Sequence, residues 1–451
     1  MAVETSFLKH IAEGAVCSGH KVTPSGNRTW APLNRPHGPC SSSSRPEGAP
    51  ATAMVDDMLL WDQLRTSYIR RQIRGEVDAP IIDNRDANVA NRDYSLNTDA
   101  GVGPNGAKPN FQQQDSDSAP IGNSAVSQTV AIDTSSDIPW VQCLPCPTPQ
   151  CHPQKDPFYD PTKSSTYAPI RCGSPACAQL GSRYGNGCTT SQQCQYIVNY
   201  GDGRATTGTY ITDTLTLSST FVVKNFRFGC SHAVRGSFSD QTAGVLALGG
   251  GTQSLLAQTA RTFGNAFSYC IPQPSSTGFL SMGGPVAATS RFARTPLIKN
   301  IRAPTFYVVR LQAITVAGQR LNVPPAVFSA GSVMDSSTII TQLPPTAYRA
   351  LRASFRSAMR AYPLTAPRRN LDTCYDFIRF PKVTVPRVSL VFDRGAILQL
   401  DATSVMIDGC LAFAANPSDG SVGFIGNVQQ QTYEVLYDVG GGSLGFRRGA
   451  C

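Results

Sequence analysis

The chain has 451 residues, 41% of them hydrophobic and only 15% charged, with 39 glycines and 33 prolines. That length excludes a one-core helical bundle, and without a run of about 18 apolar residues no helix is expected to span a membrane. The net charge of +9 is unevenly placed: residues 1–95 carry 11 basic and 11 acidic groups, so the whole excess falls on 96–451, where Glu434 is the only glutamate.

The first 16 residues, MAVETSFLKHIAEGAV, are interrupted by Glu4, Lys9, His10 and Glu13. A signal peptide needs about 7–15 consecutive apolar residues, so none is visible, and the expectation is that the true start differs from this one. Residues 22–55, rich in Pro, Ser, Gly and Ala, read as flexible. The triplet Asn27-Arg28-Thr29 fits N-glycosylation; Asn416-Pro417-Ser418 is excluded by its proline. Over 55–75 a helix is predicted, because Met58, Trp61, Leu64, Tyr68 and Ile69 recur at three- and four-residue steps. Asp56 and Asp57 at its start and Arg70, Arg71 and Arg74 at its end suit the helix dipole. Residues 96–122 are polar and read as a linker.

From 126 onward short apolar runs alternate with turn residues (SQTVAID, CQYIVNYGDG, AGVLALGG, FYVVRLQAITVAG, VTVPRVSLVF, TYEVLYDV), which predicts mostly-β structure. One helix is predicted at 345–362, with Tyr348, Leu351, Phe355 and Met359 inward and Arg349, Arg352, Arg356 and Arg360 on a solvated face. Residues 291–370 hold 12 basic residues against Asp335 alone. That surface could attract acidic partners, but no aromatic platform or groove-reading helix accompanies it, so no nucleic-acid partner is expected.

Of 14 cysteines, Cys17 and Cys40 precede the linker and 12 follow it. An even count over a long chain points to structural disulfides and an oxidising compartment. Cys143, Cys146, Cys151 and His152 are close enough to suggest zinc. A closed zinc site needs a second paired knuckle, which the irregular later cysteines do not supply, so no metal is expected. Connectivity is open at this level.

Two segments repeat 202 residues apart: Val130-Ala-Ile-Asp133-Thr134-Ser135-Ser136 and Val333-Met-Asp335-Ser336-Ser337-Thr338. Each is an apolar run, an aspartate, a hydroxyl residue and small residues. Later in each half an apolar pair runs into Ala or Gly, Val245-Leu246-Ala247 and Phe424-Ile425-Gly426. A duplicated lobe giving one carboxylate each builds an acid/base pair. Two adjacent carboxylates hold one proton between them, so one can activate water while the other donates to a carbonyl oxygen. Neighbouring hydroxyls can orient both. A lone Asp-Ser is a common turn; two at half-chain spacing, each after an apolar run, are a stronger signal.

These residues, with YGDG, FSYC, the MDSSTIITQLPPTAYRALRASF block, DTCYDF, GFIGNVQQQTYEVLYD and GFRRGAC, resemble the pepsin-type aspartic proteases, specifically the cysteine-rich nepenthesin-like plant branch, over roughly 122–451. The resemblance implies a mostly-β, bilobal pepsin-like fold, with a partly disordered or helical prosegment-like region over 1–95, an N-terminal lobe over 96–300 and a C-terminal lobe over 301–451. It implies catalytic Asp133 and Asp335, support from Thr134, Ser136, Ser336 and Thr338, a flap tyrosine at Tyr200 and its partner Trp140. Ordinary strand-end packing is the plainer account of Tyr200 and Trp140. The resemblance also implies disulfides Cys374–Cys410 and Cys270–Cys451. RPHGPC followed by WDQLRTSYIRRQI looks like the removable prosegment.

The implied activity is acidic endoproteolysis of protein or peptide substrates, without cofactor or metal, by a monomer that is secreted, apoplastic or vacuolar. Serine replaces the family glycine at Ser135 and Ser337, costing about 1 kcal/mol if φ there is positive. Ala247 replaces another glycine. The extended strand and Gly-Thr-Pro expected before the first motif are replaced by NFQQQDSDSAPIGNSAVSQ, where only Gly122-Asn123-Ser124 hints at the tripeptide. These departures motivate an alternative: a catalytically silent binding or inhibitor protein, as the xylanase-inhibitor members of this branch are. A basic surface-binding protein is the third possibility, resting on the arginines of 291–370 alone.

Overall fold

In the computed structural model both halves of the chain build the same unit around their aspartates. It describes residues 3–4, 29–34, 51–76, 99–101, 103–104, 128–147, 149–154, 156–218, 221–236, 238, 242–273, 278–285 and 291–451. In the first half strand Thr129–Asp133 runs parallel to Gly244–Ala247, with Ile132 opposite Leu246 and Asp133 opposite Ala247. Strand Trp140–Gln142 closes antiparallel onto the same neighbour. In the second half Ser332–Met334 runs parallel to Gly423–Ile425, and Thr341–Leu343 closes antiparallel onto it, Gln342 opposite Phe424. These strands are buried on both faces. That is why they read as continuous apolar runs rather than alternating ones. A Cβ at Gly244 would lie 1.9 Å from the Trp140 carbonyl oxygen, so the chains can approach this closely only with glycine there.

A shared sheet joins the halves. Strand Ala266–Cys270 pairs with Tyr433–Asp438, placing Phe267 opposite Tyr437, and Gly278–Met282 and Ser443–Arg448 extend it on either side. The Phe267 and Tyr437 rings stack at 4.5 Å. Glu434, the single glutamate of this region, is fully buried here, accepting from Ser268 Oγ and Arg447 Nε at 2.8 Å each. An isolated buried carboxylate would be costly; this one is paired and hydrogen-bonded.

Two segments read as flexible or linker carry strands that continue this sheet. Thr29–Asn34 pairs with Gly278–Met282, and Asp99–Gly101 pairs with both Thr29–Asn34 and Thr129–Asp133. Neither strand was expected; the segment just before the first motif, where the family strand was expected to be replaced, lies outside the described residues up to 127. Short strands held by main-chain pairing on both sides require little of their side chains, which is why composition missed them. Cys17, Cys40, Asn27 and Gly122-Asn123-Ser124 lie outside the described residues.

Helix α1 spans Ala51–Arg74, beginning four residues before the expected start. Asp56 and Asp57 therefore lie beyond its first turn, not at its start as the dipole argument supposed. Its end is a Schellman-type cap: Gly75 has φ 76°, its N–H donates to Gln72 C=O and that of Glu76 to Arg71 C=O, both at 3.0 Å. The predicted helix at 345–362 is observed as Pro345–Ala358, with Tyr348, Leu351, Phe355 and Met359 buried. Arg349, Arg356 and Arg360 are exposed, and Arg352 pairs with Asp372.

Six disulfides join the described cysteines: Cys143–Cys230, Cys146–Cys151, Cys172–Cys188, Cys177–Cys194, Cys270–Cys451 and Cys374–Cys410. The last two are the pairs that the resemblance implied. Cys143, Cys146 and Cys151 are thereby committed to sulfur–sulfur bonds. Among the described residues no helix is long and apolar enough to cross a membrane.

Candidate active site

Each repeated aspartate ends a buried strand and opens a turn, so its carboxylate projects where the two halves meet. The following hydroxyl residues lock the turns to each other. Thr134 N–H donates to Ser336 Oγ at 3.2 Å, and Ser336 N–H donates to Thr134 Oγ1 at 3.0 Å. The same hydroxyls reach across to Met334 C=O and Ile132 C=O. The arrangement is symmetric, as the repeat requires. Gln430 holds the second turn from below, its Nε2 donating to Asp335 C=O at 3.0 Å and Ile425 C=O at 2.8 Å.

Both carboxylates are buried, Asp133 to 4% exposure and Asp335 to none. Asp133 Oδ1 accepts from Ser135 N–H at 2.9 Å. Asp335 accepts from Thr338 Oγ1 at 2.6 Å and Ser337 N–H at 3.2 Å. Ser136, expected to support the Asp133 carboxylate, is buried beside the Asp133 turn, but its hydroxyl has no hydrogen-bond partner. Neither Ser135 nor Ser337 has a positive φ, so the conditional strain at these former glycine positions does not arise. Ser337 Oγ instead donates to Ile132 C=O at 3.4 Å. Ala247 is fully buried in register with Asp133, so its methyl group is accommodated.

The hairpin of Cys194–Asn199 and Ala205–Ser218 carries Tyr200 at its tip. Trp140 Nε1 donates to Tyr200 Oη at 2.6 Å. Phe238 packs edge-on against both rings, and Arg204 lies over Tyr200 and Phe238 while pairing with Asp202. Tyr200 and Trp140 therefore form a hydrogen-bonded aromatic group, more than simple strand-end packing.

The residues that sequence reasoning missed are on α1, which lies across the dyad. Arg65 Nη2 is 2.7 Å from Asp133 Oδ1 and 3.3 Å from Asp335 Oδ1, and Arg65 Nε is 3.1 Å from Asp335 Oδ2. One guanidinium thus bridges both carboxylates. Burial alone would raise the Asp335 carboxyl, but Arg65, Thr338 and Ser337 outweigh it and hold it below the usual carboxylate range. Burial disfavours the Arg65 cation, yet the two aspartates hold it more firmly charged than a free arginine.

Asp62, one turn earlier, accepts from Ile339 N–H at 2.7 Å through Oδ1, while its Oδ2 is buried without a partner. Burial raises this carboxyl to about 7, against opposing hydrogen bonds from Ile339 and Ile340. Arg70 donates to Val422 C=O, Gln342 Oε1 and Asn416 Oδ1. Met58 and Leu59 pack with Ile339, Ile340 and Leu371, and Ile69 packs with Val333 and Phe424. The signal for this lay in the sequence: Asp62, Arg65 and Ile69 fall on one helical face at three- and four-residue steps. Of the expected stripe Met58 and Ile69 are buried, while Trp61, Leu64 and Tyr68 are only half-buried.

Two mirrored aspartate turns under a tyrosine-bearing hairpin, on a bilobal mostly-β frame, define an aspartic-protease-type site. The chain belongs to the nepenthesin-like plant aspartic protease family. Family models described as xylanase inhibitor N-terminal and xylanase inhibitor C-terminal match residues 118–284 and 306–448. The chain is 40% identical to an aspartyl protease family protein of Arabidopsis thaliana, over 73% of this chain and 71% of that one. It is 38% identical to the protein "aspartic protease in guard cell 2" of the same plant, over 86% and 82%. Identity to nepenthesin-2 of Nepenthes gracilis is 33%, over 71% and 74%. Among solved structures, edgp aligns with TM-score 0.62 at 16% identity, covering 94% of this chain and 96% of that one. Basic 7S globulin from soybean aligns with TM-score 0.58 at 18% identity, covering 78% and 91%. At these identities the two structures speak for the fold alone.

Proposed function

We propose that the chain is an aspartic endopeptidase held silent by its own N-terminal region. The observation that carries this is the convergence of Asp133 and Asp335 on a single guanidinium nitrogen, above a mirrored hydroxyl grip. While Arg65 is seated, its guanidinium pairs with both carboxylates and α1 occupies the cleft. Once α1 leaves, two adjacent buried carboxylates cannot both stay ionised and share one proton. The ionised member then takes a proton from water, and the other donates to the scissile carbonyl oxygen. Tyr200, held by Trp140, closes over the substrate. No cofactor or metal enters the reaction, and the optimum is acidic because the shared proton must be retained.

In this reading residues 1–95 are a removable prosegment, 96–300 and 301–451 are the lobes, and the protein acts on proteins or peptides as a monomer. Six disulfides and protease relatives from plants support an extracellular or vacuolar location. The test is incubation of the purified full chain with a denatured protein at pH 3–5 beside an Asp133→Asn control. Cleavage above the control is expected, and equal cleavage by both would overturn the reading. The matching family models are described as xylanase inhibitor, which favours a second reading as a silent inhibitor. Inhibition of a xylanase by the Asp133→Asn chain, with no proteolysis by the parent, would select it.

A further inference from the structure

Five residues beyond Arg65, α1 inserts a second arginine into a separate pocket. Arg70 is 5% exposed, and its guanidinium meets three oxygens: Val422 C=O at 3.1 Å, Gln342 Oε1 at 2.7 Å and Asn416 Oδ1 at 2.8 Å. Its Cζ lies 4.9 Å from the centre of the Phe424 ring. Gln342 and Asn416 are each 4% exposed, and Phe424 is fully buried. Asn416 is oriented from within the second half, its Nδ2 donating to Ser421 C=O at 3.0 Å, which turns its oxygen to the arginine. Gln342 Nε2 donates to Thr66 Oγ1 of α1 itself at 3.1 Å, a bond that lasts while the helix is docked.

We infer that Gln342, Asn416, the Val422 carbonyl and the Phe424 face form a substrate subsite for an arginine side chain, which α1 fills in advance with Arg70. This deepens the proposed function and rests on the reading that α1 occupies the substrate cleft. The chemistry suits the guanidinium: planar, a donor on every edge, and weakly enough hydrated to stack on an aromatic face. The pocket presents acceptors only, so a citrulline, which is neutral, gains less from it. None of the contacting atoms titrates. The charged groups that bear on Arg70, Asp62 and Arg74, are both on α1 itself. A cation pocket built from carboxylates would fail in acid as they protonate; one built from amide and carbonyl oxygens persists. The preference for arginine is therefore the same at pH 3.5 and pH 5.5.

Two measurements test this. In the first, the acid-activated enzyme is given peptides in which one arginine, or one citrulline, is moved through each position on both sides of the scissile bond. At one position the arginine peptide is expected to exceed its citrulline twin in kcat/KM by about 10-fold or more, the scale of hydrogen bonds to a charged group. That ratio is expected to fall toward one in Asn416→Leu and in Gln342→Met. A ratio near one at every position in the parent protein, or one untouched by both substitutions, overturns the inference. In the second, the full-length Arg70→Ala chain is treated with ethylguanidinium or the neutral ethylurea, and hydrogen exchange of residues 51–74 is followed. Restored protection by ethylguanidinium, lost in Arg70→Ala/Asn416→Leu, supports the pocket; equal restoration by ethylurea refutes it. Absence of all peptide cleavage would overturn the enzyme reading and the substrate preference with it, whereas the exchange experiment still decides the pocket.

Discussion

Arg65 pairs with both Asp133 and Asp335 through one buried guanidinium. Removing it, as in Arg65→Met, leaves two facing buried carboxylates and one must take up a proton. Breaking such a buried pair costs on the order of 3–5 kcal/mol, so α1 is expected to lose its hydrogen-exchange protection at pH 7 in this variant. Asp62 acts in the opposite pH direction. Its folded value of about 7 lies above that of an ordinary aspartate, so its contribution to docking is complete below about pH 4 and is lost as pH rises to 7. The contribution of Asp335, held below the usual range, is present above pH 4 and is lost as pH falls through its lowered value. Asp62→Asn, with no charge to bury, is expected to strengthen α1 docking at pH 7 by up to about 3 kcal/mol. Its effect should vanish near pH 4, measured by hydrogen exchange of residues 51–74 at both pH values.

At the scale of elements, α1 and the hairpin tip are shaped to each other. Gly201 has φ 76°, and a Cβ there would lie 2.0 Å from Tyr68 Cγ. Gly201→Ala therefore meets both backbone strain of about 1 kcal/mol and a collision with the helix. The expected outcome is faster exchange across α1 at unchanged global fold, checked against the amides of the Pro345–Ala358 helix as an internal reference. The existence of α1 was legible from its periodicity, but its buried face was not. Sequence periodicity marks apolar residues, whereas this face carries Asp62, Arg65, Thr66 and Arg70, all buried. Charged residues can take a buried face when oppositely charged or hydrogen-bonding partners await them, and here those partners are Asp133 in the first half and, more than 200 residues away in the second half, Asp335, Ile339 and Gln342.

For the whole molecule, the shared sheet and the Cys270–Cys451 disulfide tie the last residue of the chain to the strands that join the halves. Cys451→Ser removes a link spanning 181 residues and is expected to cost about 2–5 kcal/mol. A lowered Tm with secondary structure retained by circular dichroism would bear this out; an unchanged Tm would contradict it.

The mostly-β class, the repeated aspartates and two disulfide pairs were all readable from the chain. Each rests on local pattern or on motif resemblance, and the duplication doubles the signal. The short strands at 29–34 and 99–101 were not readable, since main-chain pairing leaves little mark on composition. Nor could sequence tell that the neutral first 95 residues place an arginine between the two aspartates. Charge counting saw that region as balanced and separate from the basic body. Its balance conceals specific burial: an ion pair at the dyad exists only because the helix and both lobes converge there, and convergence over such separations is a property of the folded chain.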